Sequence, residues 1–142
     1  MEKNKIREIM LRIDMERREI LKPQFLKIGL TIGQGQPRIL NYLKKYGAMT
    51  QRELADLCCI DVTTISRTLD KMEEKGLLER RKDPSCRRSH QIVLTEEGLR
   101  RASQVQDIFQ DIDEQIWKGF SEEEMETLYE GLVKMEENLK KV

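Results

Sequence analysis

TQRELADLCCIDVTTISRTLDKMEEKGLLERRKDPSCRRSHQIVL, residues 50–94, holds four structural signals in a fixed order. Thr50-Gln51-Arg52-Glu53 has the pattern of a capping box. Met49 and Leu54 stand at the spacing of a hydrophobic staple, so a short helix is predicted over 50–57. After Cys58-Cys59, Asp61 can cap a second helix. Ile60 and Ile65 repeat the staple spacing, Ile65, Leu69 and Met72 form an inward stripe, and Gly76 is a stop. Leu77–Lys82 and His90–Leu94 flank Asp83-Pro84-Ser85. With its β-favouring QIVL, this segment predicts a two-stranded hairpin.

Helix, tight turn, helix and hairpin in that order is the layout of a winged helix-turn-helix. The chemistry of the second helix agrees. Once its apolar stripe is turned to a core, Thr63, Thr64, Ser66, Arg67 and Lys71 fall largely on the outer side. Short hydroxyls and a guanidinium near a helix N-terminus suit base edges and phosphates in a major groove wide enough for one helix. A solvated polar face is the plainer reading of that helix taken alone. The hairpin adds Arg80, Arg81, Lys82, Arg87 and Arg88 around its turn, opposed within it by Glu79 and Asp83. A narrow cationic tip can enter a minor groove or clasp the backbone beside it, so the two elements together point to double-stranded DNA.

The flanks are helical. Ile6, Ile9, Met10, Ile13, Ile20 and Leu21 recur at helical spacing, and Pro23 is expected to break or kink that helix. LTIGQGQP (30–37) reads as a loop leading into a helix with Pro37 in its first turn, continued by Ile39, Leu40 and Leu43 and stopped by Gly47. Thr95 caps a long helix whose apolar face includes Val105, Ile108, Phe109, Ile112, Ile116 and Trp117. Ser121 to Glu124 is another capping box, stapled by Phe120 and Met125. It opens a last helix with Met125, Leu128, Tyr129, Leu132, Met135 and Leu139 inward. The expected fold class is mainly α with a small β-hairpin wing.

Composition bounds the function. The 142 residues suffice for one ordinary domain without disulfide or metal staples. The 26 Lys+Arg balance 26 Asp+Glu, but unevenly: residues 1–95 hold 20 against 13, and residues 96–142 hold 6 against 13. A basic front and an acidic back suit a chain of which one part meets phosphates, although solvated helix faces can give the same pattern. No apolar run is long enough for a signal region or membrane span, and a cytosolic location is expected. With His90 as the only histidine, no His-based triad or two-histidine metal centre can form in one chain. Neither catalysis nor a cofactor is expected. Cys58 and Cys59 read as one core residue and one small turn residue; a thiolate metal site or oxidation switch with Cys86 is the alternative. Cys86, between arginines, is the expected redox switch.

The chain resembles the MarR family of winged-helix transcription regulators. The matching pieces are GLT at 29–31, QPRIL at 36–40, MTQRELADL at 49–57, TTISRTLDKMEEKGLLERR at 63–81 and DPSCRRSHQIVLTEEG at 83–98. The resemblance implies a homodimer whose first and last two helices interleave, presenting two reading helices and two wings to a pseudo-palindromic operator. It implies a repressor released by a small aromatic or other anionic effector, or by cysteine oxidation. The organisation that follows is an N-terminal dimerisation helix and loop at 1–35, a DNA-binding lobe at 36–95 and C-terminal dimerisation helices at 96–142. Two departures stand out. Cys86 occupies the position where the family carries a wing aspartate two residues before its groove-entering arginine, here Arg88, so Asp83 is left as the substitute brace. The loop at Gln34–Gln36 is about two residues longer than the family pattern. A second reading is an interaction module in which the same winged fold docks an acidic protein partner.

Overall fold

The apolar spacing of the first 27 residues closes into one long helix. In the computed structural model, which describes the backbone of residues 1–142 and the side chains of all but residues 86–89, helix α1 spans Lys3–Lys27. Pro23 lies inside it, so the expected break does not occur. Proline removes one amide, the one that would have bonded to the Glu19 carbonyl. Leu21 and Phe25 on either side are fully buried and hold the last turns in place. A 3-10 turn at Ile32–Gln34 follows. Gly35, at φ 76°, reverses the chain into α2, Gln36–Tyr46, with Pro37 in its first turn as expected.

Strand β1, Met49–Thr50, leads directly into α3, Gln51–Cys58, and α4, Val62–Glu74. Strands β2, Leu78–Asp83, and β3, Cys86–Leu94, then form the wing. The sheet is antiparallel with order β1-β3-β2; Met49 pairs with Ile92, Leu78 with Leu94 and Lys82 with His90. The hairpin is therefore part of a three-stranded sheet. The third strand is only two residues long and overlaps the helix cap, which hid it. Thr50 Oγ1 accepts from the Glu53 amide at 3.1 Å, while the Glu53 carboxylate accepts the Thr50 hydroxyl at 3.0 Å. The predicted box is thus half formed, with Thr50 itself drawn into β1 opposite Gln91.

Ile39, Leu40, Leu54, Cys58, Ile65, Leu69, Met72, Leu77, Leu78 and Ile92 are all essentially inaccessible. Each such aliphatic side chain contributes about 1.5–3 kcal/mol of transfer free energy, so the core under α4 fixes how that helix is presented. Helix α5, Glu96–Ile116, starts hard against the base of the wing. The Thr95 hydroxyl donates to the Gly76 carbonyl at 2.6 Å, and the Gly98 amide donates to Thr95 Oγ1 at 3.0 Å.

The chain resolves into two compact units, residues 1–109 and 110–142. In the second, Trp117 meets Phe120 edge to face at 5.3 Å, and α6, Glu122–Lys140, opens on a complete Ser121/Glu124 capping box. The stripe expected to face inward on α6 is not buried within the chain: Leu128, Leu132 and Met135 are about 40% exposed and Leu139 is 73% exposed. Helix α1 shows the same pattern at Ile6, Ile9, Met10, Ile13 and Ile20. Among the described residues no helix is long and apolar enough to cross a membrane.

Candidate nucleic-acid interface

Helix α4 has one face fixed and one face open. Ile65, Leu69 and Met72 are fully buried, as expected, and Thr68 joins them, its hydroxyl 3.1 Å from the Gln34 carbonyl and 3.0 Å from the Thr64 carbonyl. On the other side Thr63, Thr64, Arg67 and Lys71 are exposed and Ser66 is half-buried. Val62, the first residue of the helix and 59% exposed, belongs to the same surface. An apolar residue beside an N-cap has the local signature of a core residue, so nothing in the sequence marks Val62 as exposed.

The N-terminus of α4 is held by Asp61, which accepts from the Thr64 amide at 2.8 Å and from the Thr64 hydroxyl at 2.7 Å. Those two bonds, the amide first, hold the Asp61 carboxyl below its ordinary value. The Thr64 hydroxyl proton is committed to Asp61, so that oxygen faces outward as an acceptor. Preceding Asp61 is the α3–α4 turn, where Cys59 sits at φ 54°, a left-handed conformation unusual for a side-chain residue. Arg38 Nη1 donates to the Cys58 carbonyl at 2.6 Å and braces the turn from α2. Cys58 is buried and Cys59 exposed, the division between core and turn expected of the pair. Burial pushes the Cys58 thiol up to about 11, against the opposing pull of Arg38.

The wing cations occupy unlike settings. Arg81 is 67% exposed and pairs with Glu79 at 3.2 Å, and Lys82 is exposed. Arg80, expected to act with them, is engaged elsewhere. Its Nη2 meets Asp70 Oδ1 at 2.9 Å and donates to the Ser66 carbonyl at 3.3 Å; its Nη1 meets Glu73 Oε1 at 3.1 Å; and its amide donates to Glu73 Oε2 at 3.2 Å. Its side chain is 20% exposed. At the tip, Asp83 accepts from the Ser85 hydroxyl at 2.7 Å and the Ser85 amide at 2.9 Å, which lowers its carboxyl below the ordinary value. The side chains of Cys86, Arg87 and Arg88, and with them the expected redox switch and wing-tip contacts, lie outside the described residues.

A second feature lies apart from this surface. Asp14, Arg17 and Arg18 of α1, Pro37 and Arg38 of α2, and Phe109 of α5 line a cleft of about 260 Å³. Arg17 lies over the Phe109 ring at 5.5 Å and Arg18 pairs with Asp14 at 3.2 Å. This gathering of three guanidiniums with an aromatic wall was not read from the sequence. Its only linear trace is the adjacent Arg17-Arg18.

Residues 32–90 match the MarR family. Over those residues the chain is similar to the MarR family. That span takes in the 3-10 turn, α2, both helices of the helix-turn-helix and the wing as far as His90. Solved structures extend the likeness across the rest of the chain. MepR of S. aureus in its DNA-binding conformation is 25% identical, with a TM-score of 0.86 over 94% of this chain and 98% of that one. The transcriptional regulator SlyA is 28% identical, with a TM-score of 0.83 over 96% and 94%. The S. aureus MepR–DNA complex is 26% identical, with a TM-score of 0.81 over 93% and 96%. In the loop at Gln34–Gln36, Gly35 takes the left-handed conformation and α2 begins at Gln36.

Proposed function

We propose that this chain is a MarR-family, sequence-specific DNA-binding transcriptional repressor that works as a homodimer on a pseudo-palindromic operator. The observation that carries the reading is the N-terminal half of α4. It is an exposed face of Val62, Thr63, Thr64, Ser66 and Arg67, set rigidly on a buried stripe, at the helix end where dipole and unpaired amides favour phosphate. Thr63, Thr64, Ser66 and Arg67 contact base edges and nearby phosphates, Val62 offers an apolar contact for a thymine methyl, and Lys71, Arg81, Arg87 and Arg88 neutralise backbone. The likeness to S. aureus MepR, which has been solved in complex with DNA, supports this reading.

The exposed aliphatic stripes of α1 and α6 support dimerisation, since large contiguous apolar surfaces are seldom left to water. The cleft beside Arg17, Arg18, Arg38 and Phe109 supports release by a small aromatic anion. Its guanidiniums would pair a carboxylate while Phe109 packs against the ring. Release by oxidation falls to Cys86 or Cys59, because a thiol at about 11 leaves Cys58 protonated at neutral pH. Footprinting the full chain on genomic fragments tests the reading. The expected result is a pseudo-palindrome with half-site centres about 34–36 Å apart, and sequence-blind binding overturns it. Benzoate added to the footprinting reaction should weaken protection in the wild type and not in Arg17→Gln.

A further inference from the structure

Arg80 lies on an edge strand of the sheet, yet every polar contact its side chain makes among the described residues is to the reading helix. Ser66, Asp70 and Glu73, at positions i, i+4 and i+7, form one stripe along the flank of α4. The guanidinium spans that stripe. One terminal nitrogen serves Asp70 and the Ser66 carbonyl, and the other serves Glu73, while Glu73 also takes the Arg80 main-chain amide on the open edge of β2. Two carboxylates against one guanidinium leave the local charge negative, so a phosphate brought here would be repelled. The next residue, Arg81, is on a different footing: it is 67% exposed against 20% for Arg80, and bound by one carboxylate.

We infer that Arg80 is a positioning residue for operator binding: it clasps the wing to the flank of the reading helix through Asp70, Glu73 and the Ser66 carbonyl, and makes no phosphate contact. The clasp sets where Arg81, Lys82 and the wing tip stand relative to Thr63, Thr64 and Arg67. Groove and backbone are therefore met by two elements in one fixed geometry. It depends on a planar fork. A lysine ammonium is one nitrogen on a flexible stem and cannot hold both carboxylates and the carbonyl at those separated points. The inference rests on the DNA-binding reading above.

The test is a salt titration of operator affinity by fluorescence anisotropy, on the full chain and the site found by footprinting. Arg80→Gln should lose affinity by about tenfold, the worth of one hydrogen-bonded charge contact. Its log–log salt slope should match the wild type, because no phosphate contact is lost. Arg81→Gln should lower the slope by about 0.9. Arg80→Lys should not restore affinity. Asp70→Asn with Glu73→Gln should also weaken binding, although removing two negative charges beside DNA would by electrostatics alone strengthen it. A slope reduced by about 0.9 in Arg80→Gln, or tighter binding by the double variant, overturns the clasp. Wild-type binding that is blind to sequence overturns the DNA reading instead. The clasp is then judged by amide exchange in the unbound protein: residues 78–83 should exchange faster in Arg80→Gln, and unchanged exchange sinks it.

Discussion

Gly98 is the position where the frame behind the wing has no spare room, and replacing it with alanine gives a prediction whose sign is not obvious. It lies in the first turn of α5, and at an exposed helix site Gly→Ala adds about 1 kcal/mol of stability. Here, a Cβ would overlap the Leu77 carbonyl oxygen, lie 2.9 Å from its carbonyl carbon and 3.2 Å from Leu94 Cδ2. Carbon atoms in good contact sit about 3.5–4.0 Å apart, and the overlapping oxygen demands still more relief, so the helix start must retreat by more than about 1 Å. That retreat pulls on the Thr95 amide to Leu77 carbonyl bond at 3.2 Å and the Thr95 hydroxyl to Gly76 carbonyl bond at 2.6 Å. Strain in a filled core costs about 1–3 kcal/mol and each weakened hydrogen bond about 0.5–1.5 kcal/mol. Against about 1 kcal/mol of gained propensity, the net is a loss of about 1–5 kcal/mol. At about 2–4 °C per kcal/mol, the midpoint should fall by roughly 2–20 °C. Thermal melts by circular dichroism at one fixed protein concentration measure this, with Gly131→Ala as the control. Gly131 is in α6, with nothing within 4 Å of a built Cβ, so alanine there meets no opposition within its own chain. Gly98→Ala melting at or above the wild-type temperature would refute the reasoning.

Three further outcomes are expected. Arg67→Ala should weaken operator binding by about 1–3 kcal/mol and leave the dimer intact, as read by anisotropy and sedimentation; unchanged affinity removes Arg67 from the interface. Leu132→Glu, placed on the exposed stripe of α6, should convert the proposed dimer to monomer in sedimentation velocity, and an unshifted boundary argues against that stripe as the contact. Asp61 should make the start of α4 acid-sensitive. Its folded pKa lies below the ordinary value of 3.8, so its stabilisation is fully present above the unfolded pKa and is lost as pH falls below about 4 through the folded one. The melting difference between wild type and Asp61→Asn should therefore be flat above pH 5 and shrink in acid; a difference constant down to pH 2 contradicts it.

What could be read in advance was what depends on neighbours in sequence. The caps at Asp61 and Ser121, the stop at Gly47 and the buried stripe of Ile65, Leu69 and Met72 each follow from residues within one or two helical turns, and each is present. Misreadings arose where a distant partner outweighed the local signal. Pro23 is expected to break or kink its helix, but α1 continues through it, with Leu21 and Phe25 buried on both sides. Thr50 should complete a box, but β3 recruits it into a sheet with a partner forty-one residues away, Gln91. The stripe of α6 has helical spacing whether it packs within its own chain or against another, because periodicity records an apolar face and not its occupant. Arg17, Arg18 and Arg38 meet only after α1 and α2 have packed, so no spacing rule brings them together.

The charge of the wing shows the same limit in a functional setting. Five cations between residues 80 and 88 suggest five contributions to phosphate binding when they are counted along the chain. In space their weights differ. Arg80 is answered by two carboxylates and Arg81 by one, while Lys82 has no ion-pair partner among the described residues. The reading helix is graded in the opposite sense along its axis. Its N-terminal half offers hydroxyls, Arg67 and the positive end of the dipole, whereas Asp70, Glu73 and Glu74 make its C-terminal half acidic. A duplex approaching α4 is therefore attracted at one end and repelled at the other, which favours entry of the helix N-terminus first. By taking up Asp70 and Glu73, Arg80 weakens the repulsion on the flank nearest the wing while leaving Glu74 unanswered among the described residues. A chain with 26 charges of each sign can in this way present a directional positive field at the surface proposed to meet DNA, because position rather than sum determines what a phosphate encounters.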